Sequence, residues 1–323
     1  MKNWFVFACA TAMAIVAPLA SAQATDYPGS RPVRIVVPSA PGSGGDSAGR
    51  FFGEQLAKQL GGSFVVENRA GAGGVIAANF VKSAPADGYT IFIGSNTPLV
   101  VTPLVMKNLS YDPIKDFTPL SGTTRGATML SVNPASPIKT LQELVAKART
   151  ERAPLSAGAF TSGYQLALEW FASIAGIKIN VIPYKDSAQM YTDIAGGRLD
   201  FVISDVVGGG AAIRGNMIRP LAMSAEARHP DFPNVPTARE SGYPEFVNYV
   251  WSSFVVRAET PAPIRKKLAD ALANIMVSDV ARQYAKSNNT ELLPYGPEKM
   301  RQFQFEEHER FRRVAQKAGI TPQ

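Results

Sequence analysis

Cysteine occurs once in the 323 residues, as Cys9, and histidine twice, as His229 and His308. A disulfide framework and a Cys/His zinc site are therefore excluded by counting. Charged residues make up only 18% of the chain, and the basic ones are scattered rather than clustered. Beyond the first two dozen residues no apolar run approaches the length needed to span a membrane. The catalytic and nucleotide signatures are missing too. No Gly-x-Ser-x-Gly elbow occurs. No Gly-Lys-Ser/Thr exists for a Walker motif, and the glycines of Gly71–Gly74 lack the third glycine of a dinucleotide fingerprint. The loop at Gly42–Gly45 fails the same test, with Ser47 at the third position. Ser136-Pro137-Ile138-Lys139 matches S-x-x-K, but neither S-D-N nor K-T-G follows it. A Ser-His-Asp triad would have to use His229, beside Pro230 in a loop, or His308, on a charged helix. No catalytic residue, metal ligand or cofactor is assigned.

What is present begins with an export signal. Lys2 supplies a positive start, Trp4 to Ala17 an apolar stretch, and Ala20-Ser21-Ala22 a small-residue cleavage site. Cys9 has too little hydrophobic chain before it to act as a lipid anchor. Cleavage after Ala22 predicts an exported, periplasmic, cysteine-free mature protein. With 46% hydrophobic residues, it reads as a soluble globular protein with a sizeable core. The whole chain carries a net charge of +7 and a pI near 9.4. An exported protein has little reason to read nucleic acid, so the charge points to small anions as partners.

Hydrophobic periodicity gives β and α elements in alternation. Arg34–Pro38 reads as a strand, Ser47–Leu60 as a helix and Ser63–Glu67 as a strand. Val75–Lys82 follows as a helix and Tyr89–Gly94 as a strand. After an extended stretch over Ala127–Val132 a second series begins, with helices at Leu141–Ala148, Ser162–Ile174 and Ala188–Ala195. Its strands are Leu155–Ala157, Lys178–Pro183, Leu199–Ser204 and Leu221–Ser224, with a short helix at Ala211–Gly215. Tyr249–Val256 reads as a long strand, and three helices finish the chain. This pattern predicts an α/β protein of two lobes, each a sheet flanked by helices, with two crossings near 124–132 and 247–256. Residues 23–124 form the first lobe and 125–246 the second. Residues 247–323 hold the return crossing and the helices that pack back on the first lobe.

Ligands of open α/β sheets sit in loops at the carboxyl ends of strands. The first such loop, Ser39 with Pro41, Gly42, Ser43, Gly44, Gly45 and Asp46, opens a helix whose N-terminus favours an anion. Asp46 is either a ligand contact or the helix N-cap. Ser95, Asn96 and Thr97 follow a strand and offer donors without charge. Phe160, Thr161, Ser162, Gly163 and Tyr164 open a helix of the second lobe, with Thr161 and Ser162 as ligand donors or as caps. Asp205 either lines the cleft or caps the next helix. Two helix N-termini facing one space would suit a ligand with two carboxylates.

These residues resemble a known family. Tyr27-Pro28, then Arg31 to Pro38, Ala40-Pro41-Gly42 and Asp46 look like the mature start of the Bug-type solute receptors. Those are the periplasmic substrate-binding proteins of tripartite tricarboxylate transporters. The likeness continues through Val65 to Gly74, Ala86 to Thr90, Tyr111-Asp112-Pro113 with Lys115-Asp116-Phe117, Pro183-Tyr184-Lys185, and Asp231 to Thr237. The resemblance implies a two-lobed Venus flytrap fold of the periplasmic-binding-protein type, a carboxylate ligand and inner-membrane permease subunits as partners. It also implies that backbone amides and waters of the first-lobe loop, rather than an arginine, hold a ligand carboxylate. A monomer is expected.

Two departures bear on the ligand. The family usually has Phe after Val-Val-Pro of the first strand, where this chain has Ser39. The second-lobe loop usually reads Gly-polar-Gly-Ser-x-Ser-His, where this chain runs from Ala159 to Gln165 with Phe160 and Tyr164. They weigh against an aliphatic amino acid or a citrate-like acid and suggest a ring stacked on Phe160 or Tyr164, as an aromatic dicarboxylate such as a phthalate isomer would supply. The plainer alternative is that both rings only pack within the lobe. The competing function is an exported enzyme acting on a carboxylate or ester; a third is a receptor that feeds a sensor.

Overall fold

The computed structural model describes residues 26–320 and 322. The export signal over 1–22, with Cys9, lies outside them. The first strand, β1 (Val33–Val37), is buried on both faces: Val36 packs into one apolar cluster while Ile35 and Val37 pack into another. A strand apolar at four of its five positions, with only Arg34 half-buried among them, belongs in the middle of a covered sheet. β2 (Phe64–Asn68) and β3 (Thr90–Ser95) pair with it in parallel. Helix α1 (Gly44–Leu60) connects β1 to β2, and α2 (Val75–Ser83) connects β2 to β3. After β3 a π-helical turn, Thr97–Val101, runs into the single turn α3 (Thr102–Val105).

Strand β4 (Phe117–Val132) is 16 residues long and joins the two halves of the molecule. Its first part, to Ala127, pairs antiparallel with β9 (Tyr249–Arg257), which in turn lies antiparallel to β3. From Thr128 onward it pairs on one side with β7 (Phe201–Asp205) and on the other with β8 (Arg219–Met223). The extended stretch expected at Ala127–Val132 is therefore only the end of a longer strand. β5 (Leu155–Ala159) lies parallel to β7, and β6 (Ile179–Pro183) parallel to β5. The path across the sheet runs β2-β1-β3-β9-β4-β7-β5-β6. α4 (Leu141–Thr150), α5 (Ser162–Ala175), α6 (Ser187–Ala195) and α7 (Val206–Arg214) connect the strands of the second lobe.

The chain then closes with α8 (Ala262–Met276), α9 (Asp279–Ser287), the two-residue strand β10 (Glu291–Leu292) beside β4, and α10 (Pro297–Lys317). α8 packs against β4 and α1, and its Leu268 and Leu272 share an apolar cluster with Phe52 of α1 and Phe254 of β9. α10 reaches further than a return to the first lobe. Gln304 donates to the Leu99 carbonyl at 3.1 Å, while Phe311 meets the Trp170 ring of α5 edge-on. Trp251 Nε1 donates to Glu307 at 3.0 Å, and Arg310 donates to the Val247 carbonyl at 3.0 Å. The last helix thus grips the return crossing as well as both lobes. Among the described residues no helix is long and apolar enough to cross a membrane.

Candidate functional site

The loop after β1 is folded by its own polar side chains. Ser43 is the N-cap of α1, its hydroxyl accepting from the Asp46 N–H at 3.3 Å. The helix starts at Gly44 rather than Ser47, and Asp46 is its third residue instead of its cap. That correction has a local cause: Asp46 accepts from the Gly42 N–H at 3.0 Å, from Asn68 Nδ2 at 3.0 Å and from Arg50 Nε at 3.1 Å. Gly42 has a φ of +81°, which lets its N–H turn back toward that carboxylate. Asp46 is 4% exposed. Burial raises its pKa, but the bonds from Arg50, Gly42 and Asn68 outweigh that and hold it below the ordinary carboxylate range. Ser39 lies 2.6 Å from Ser43, hydroxyl to hydroxyl, and its carbonyl accepts from Asn68 at 3.0 Å. The N–H groups of Gly44 and Gly45, in the first helical turn, have no carbonyl within the helix to bond.

The second lobe presents its own helix start. Thr161 is the N-cap of α5, accepting from the Tyr164 N–H at 3.3 Å. Ser162 is not a cap; it is the first helical residue, and its buried hydroxyl has no partner. Asp205 is the N-cap of α7, where Oδ1 accepts from the Gly208 N–H at 2.7 Å. Its Oδ2 accepts from Tyr164 Oη at 2.5 Å. Burial pushes the Tyr164 hydroxyl well above its usual pKa, and the Asp205 charge adds to it. Phe160 and Tyr164 sit with ring centroids 4.8 Å apart and planes tilted by 50°.

Between the two lobes lies a cavity of about 90 Å³. Ser95, Asn96 and Thr97 line it from the first lobe, and Phe160, Thr161, Gly163 and Tyr164 from the second. Asn248 and Val250, on the return crossing, complete the lining. None of the nine is charged. Hydroxyls, amides and the start of α5 therefore provide the donors here, with one half-buried ring beside them. The walls nearly touch: a Cβ on Gly163 would come within 2.7 Å of Thr97 Oγ1. One on Gly73 would lie 3.2 Å from Ser162 Oγ.

Seven of the residues singled out in the sequence thus surround one space. Ser162 stands at its edge, against Gly73. The loop from Ser39 and Pro41 through Asp46 does not line this cavity, and neither does Asp205. They belong to a second contact between the lobes, where a Cβ on Gly44 would lie 3.1 Å from Val207 Cγ1, two residues beyond Asp205. Asn248 and Val250 were missed. Their only sequence signal is membership of a crossing segment, which must pass the cleft. Among the described residues no group of three His, Cys, Asp or Glu side chains gathers to hold a metal ion.

Comparison with known proteins adds to this geometry. The profile of the family described as "Tripartite tricarboxylate transporter family receptor" matches residues 49–320. The chain is 33% identical over 309 residues to the protein BugT of Bordetella pertussis, covering 94% of this chain and 93% of that one. A Rhodopseudomonas palustris protein, Rpa4515, solved with adipate superposes with a TM-score of 0.87. It shares 32% identity, over 92% of this chain and all of that one. MatC of the same organism, solved with malate, gives a TM-score of 0.80 at 27% identity, over 87% and 98% of the two chains.

Proposed function

This chain belongs to the tripartite tricarboxylate transporter receptor family, and from that premise we propose that it captures a small di- or tricarboxylate between its lobes and hands it to the permease subunits of such a transporter. The family is one of periplasmic solute receptors. In the same reading the chain is cleaved after Ala22, works in the periplasm as a monomer, and has lobe boundaries at 124/125 and 246/247.

The observation that carries the proposal is the uncharged, donor-rich cavity of Ser95–Thr97 and Phe160–Tyr164. An ionised carboxylate leaves water at high cost unless its oxygens are hydrogen-bonded. Helix N-termini and hydroxyls supply such bonds, and the helix dipole favours negative charge there. The first turns of α1 and α5 offer two such ends, one from each lobe. The carboxylate contacts proposed are Ser95 to Thr97 and Thr161 to Gly163 at the cavity and, outside it at the second contact between the lobes, the backbone of Pro41–Asp46, with Asp205 shaping the second-lobe wall through Tyr164. A ligand that touches both lobes only when they are closed shifts the population toward closure.

A second reading concerns the ligand's shape and rests on Phe160. Its half-buried ring lines the cavity, whereas the Tyr164 hydroxyl is already bonded to Asp205. An aromatic dicarboxylate such as a phthalate isomer would place its ring against Phe160. Thermal melting of the mature protein against aliphatic and aromatic carboxylates tests both readings. A ligand at about 100 times its dissociation constant adds roughly 2.7 kcal/mol, an upward shift of a few degrees. Stabilisation by a phthalate that vanishes in Phe160→Ala supports the ring reading; no shift with any acid, in protein shown by mass spectrometry to be ligand-free, contradicts the receptor reading.

A further inference from the structure

The second contact between the lobes is built on α7, away from the cavity. Val207, the second residue of that helix, faces two glycines. A Cβ on Gly44 would lie 3.1 Å from its Cγ1, and one on Gly126 would lie 3.4 Å from its Cγ2. Gly44 starts α1 in the first lobe, and Gly126 lies in the part of β4 that pairs with β9. One turn further along α7, Gly210 meets Asn289, whose Nδ2 would stand 3.0 Å from a Cβ there. Three residues apart, Val207 and Gly210 share one face of the helix.

The first-lobe side of this contact is braced. Asn289 sits in the turn between α9 and β10 with a φ of +51°, a conformation that asparagine tolerates. Beside it, Asn288 accepts from Ser47 Oγ of α1 at 3.3 Å, and Thr290 donates to the Arg125 carbonyl at 2.7 Å. Tyr284 of α9 donates to Ser47 at 3.2 Å and stacks on Phe51 with ring centroids 4.1 Å apart. The turn is thereby fixed to α1 and to the crossing strand. On the second-lobe side, Asp205 caps α7 and accepts from Tyr164 of the cavity wall. Alanine would serve the helix better than Gly210, so the glycine serves the close approach of Asn289.

Neither Val207 nor Gly210 lines the cavity, and neither has a side chain that could bond an acid. A contact made only when the lobes close adds the same free energy whatever acid the cleft holds. We propose that Val207 and Gly210 are positioning residues that hold the lobes closed and scale the affinity for every ligand by one common factor, leaving selectivity to the cavity. The inference rests on the receptor reading above and goes beyond it, because it separates the residues that set affinity from those that set choice. Such a contact forms after the acid has entered, so it acts on release rather than on capture.

Calorimetry and stopped-flow kinetics of the mature protein with malate, adipate, citrate and phthalate test it. Val207→Ala should weaken each acid that binds by the same factor, about threefold or more, through faster release at an unchanged association rate. Gly210→Ala should also weaken binding although it favours the helix, since its Cβ would press on Asn289. Adding Asn289→Gly, which suits the left-handed φ, should restore the affinity lost in Gly210→Ala. Unchanged affinity in either single variant would overturn the proposal, as would factors that differ between acids. A loss carried by slower association, or no rescue by Asn289→Gly, would overturn it too. If no acid binds the unaltered protein, the receptor reading itself falls and the inference with it.

Discussion

Asp46 shows how a residue beside a ligand loop can be committed to the loop's own structure. Its carboxylate collects bonds from Gly42, Asn68 and Arg50, so it folds the turn that exposes the N–H groups of Gly44 and Gly45. Because the folded-state pKa is depressed, its contribution to stability is complete above the unfolded value of about 4 and is lost as pH falls through the folded one. Asp46→Asn should therefore flatten the acid limb of stability below about pH 5. At neutral pH it should cost about 1–3 kcal/mol. Urea unfolding at a series of pH values reads both effects, and an unchanged acid limb would show that the carboxylate does not hold the loop. The sequence could not settle this role, since Ser43 and Asp46 are both good N-cap residues. The two glycines between them suit a loop as well as a first turn. Asn248 was hidden for a different reason. Between Val247 and Tyr249 it reads as one more residue of an extended segment, and its importance arises from Thr128 and Ser224, distant in the chain.

At the scale of elements, the start of α5 decides how closely the lobes can approach. Gly163 lies inside the helix with ordinary backbone geometry, so Ala there should aid the helix itself. The added Cβ, however, would press on Thr97 Oγ1 at 2.7 Å across the cleft. Gly163→Ala should consequently keep or raise the melting temperature of the ligand-free protein and weaken ligand binding by about tenfold or more, a cost within the range for overpacking a tight contact. Adding Thr97→Ala should restore most of the affinity, a coupling that a double-mutant cycle in calorimetry measures. Strict additivity of the two changes would mean that the contact plays no part in closure. Most elements were legible because their apolar periodicity is local: β1, α5 and β9 differ by only a few residues from the segments expected. β4 was underestimated because its first half, Phe117–Gly126, alternates poorly. Ser121 and Thr123 are buried there beside its apolar residues. Sheet neighbours on both sides make those positions core, which no local pattern reveals. The helical turns over Thr97–Val105 were missed because Pro98 and Pro103 break the helical reading, although each falls early in its turn, where proline is tolerated.

For the whole molecule, one long strand and one return strand carry the chain between the two halves of the sheet, and α10 ties the return strand to both lobes through Glu307, Arg310 and Phe311. A cleft between bodies joined in this way can close around a ligand by small changes at the crossings. The cavity contains no charged side chain, which suits holding an acid by hydrogen bonds. The central claim is thus reversible capture of a carboxylate between the lobes. Its most direct test is calorimetric titration of the mature protein with the acid that stabilises it most, followed by recovery of that acid from the denatured complex. The account predicts one molecule bound per chain and recovered chemically unchanged; conversion of the acid, or saturation at a stoichiometry other than one, would contradict it.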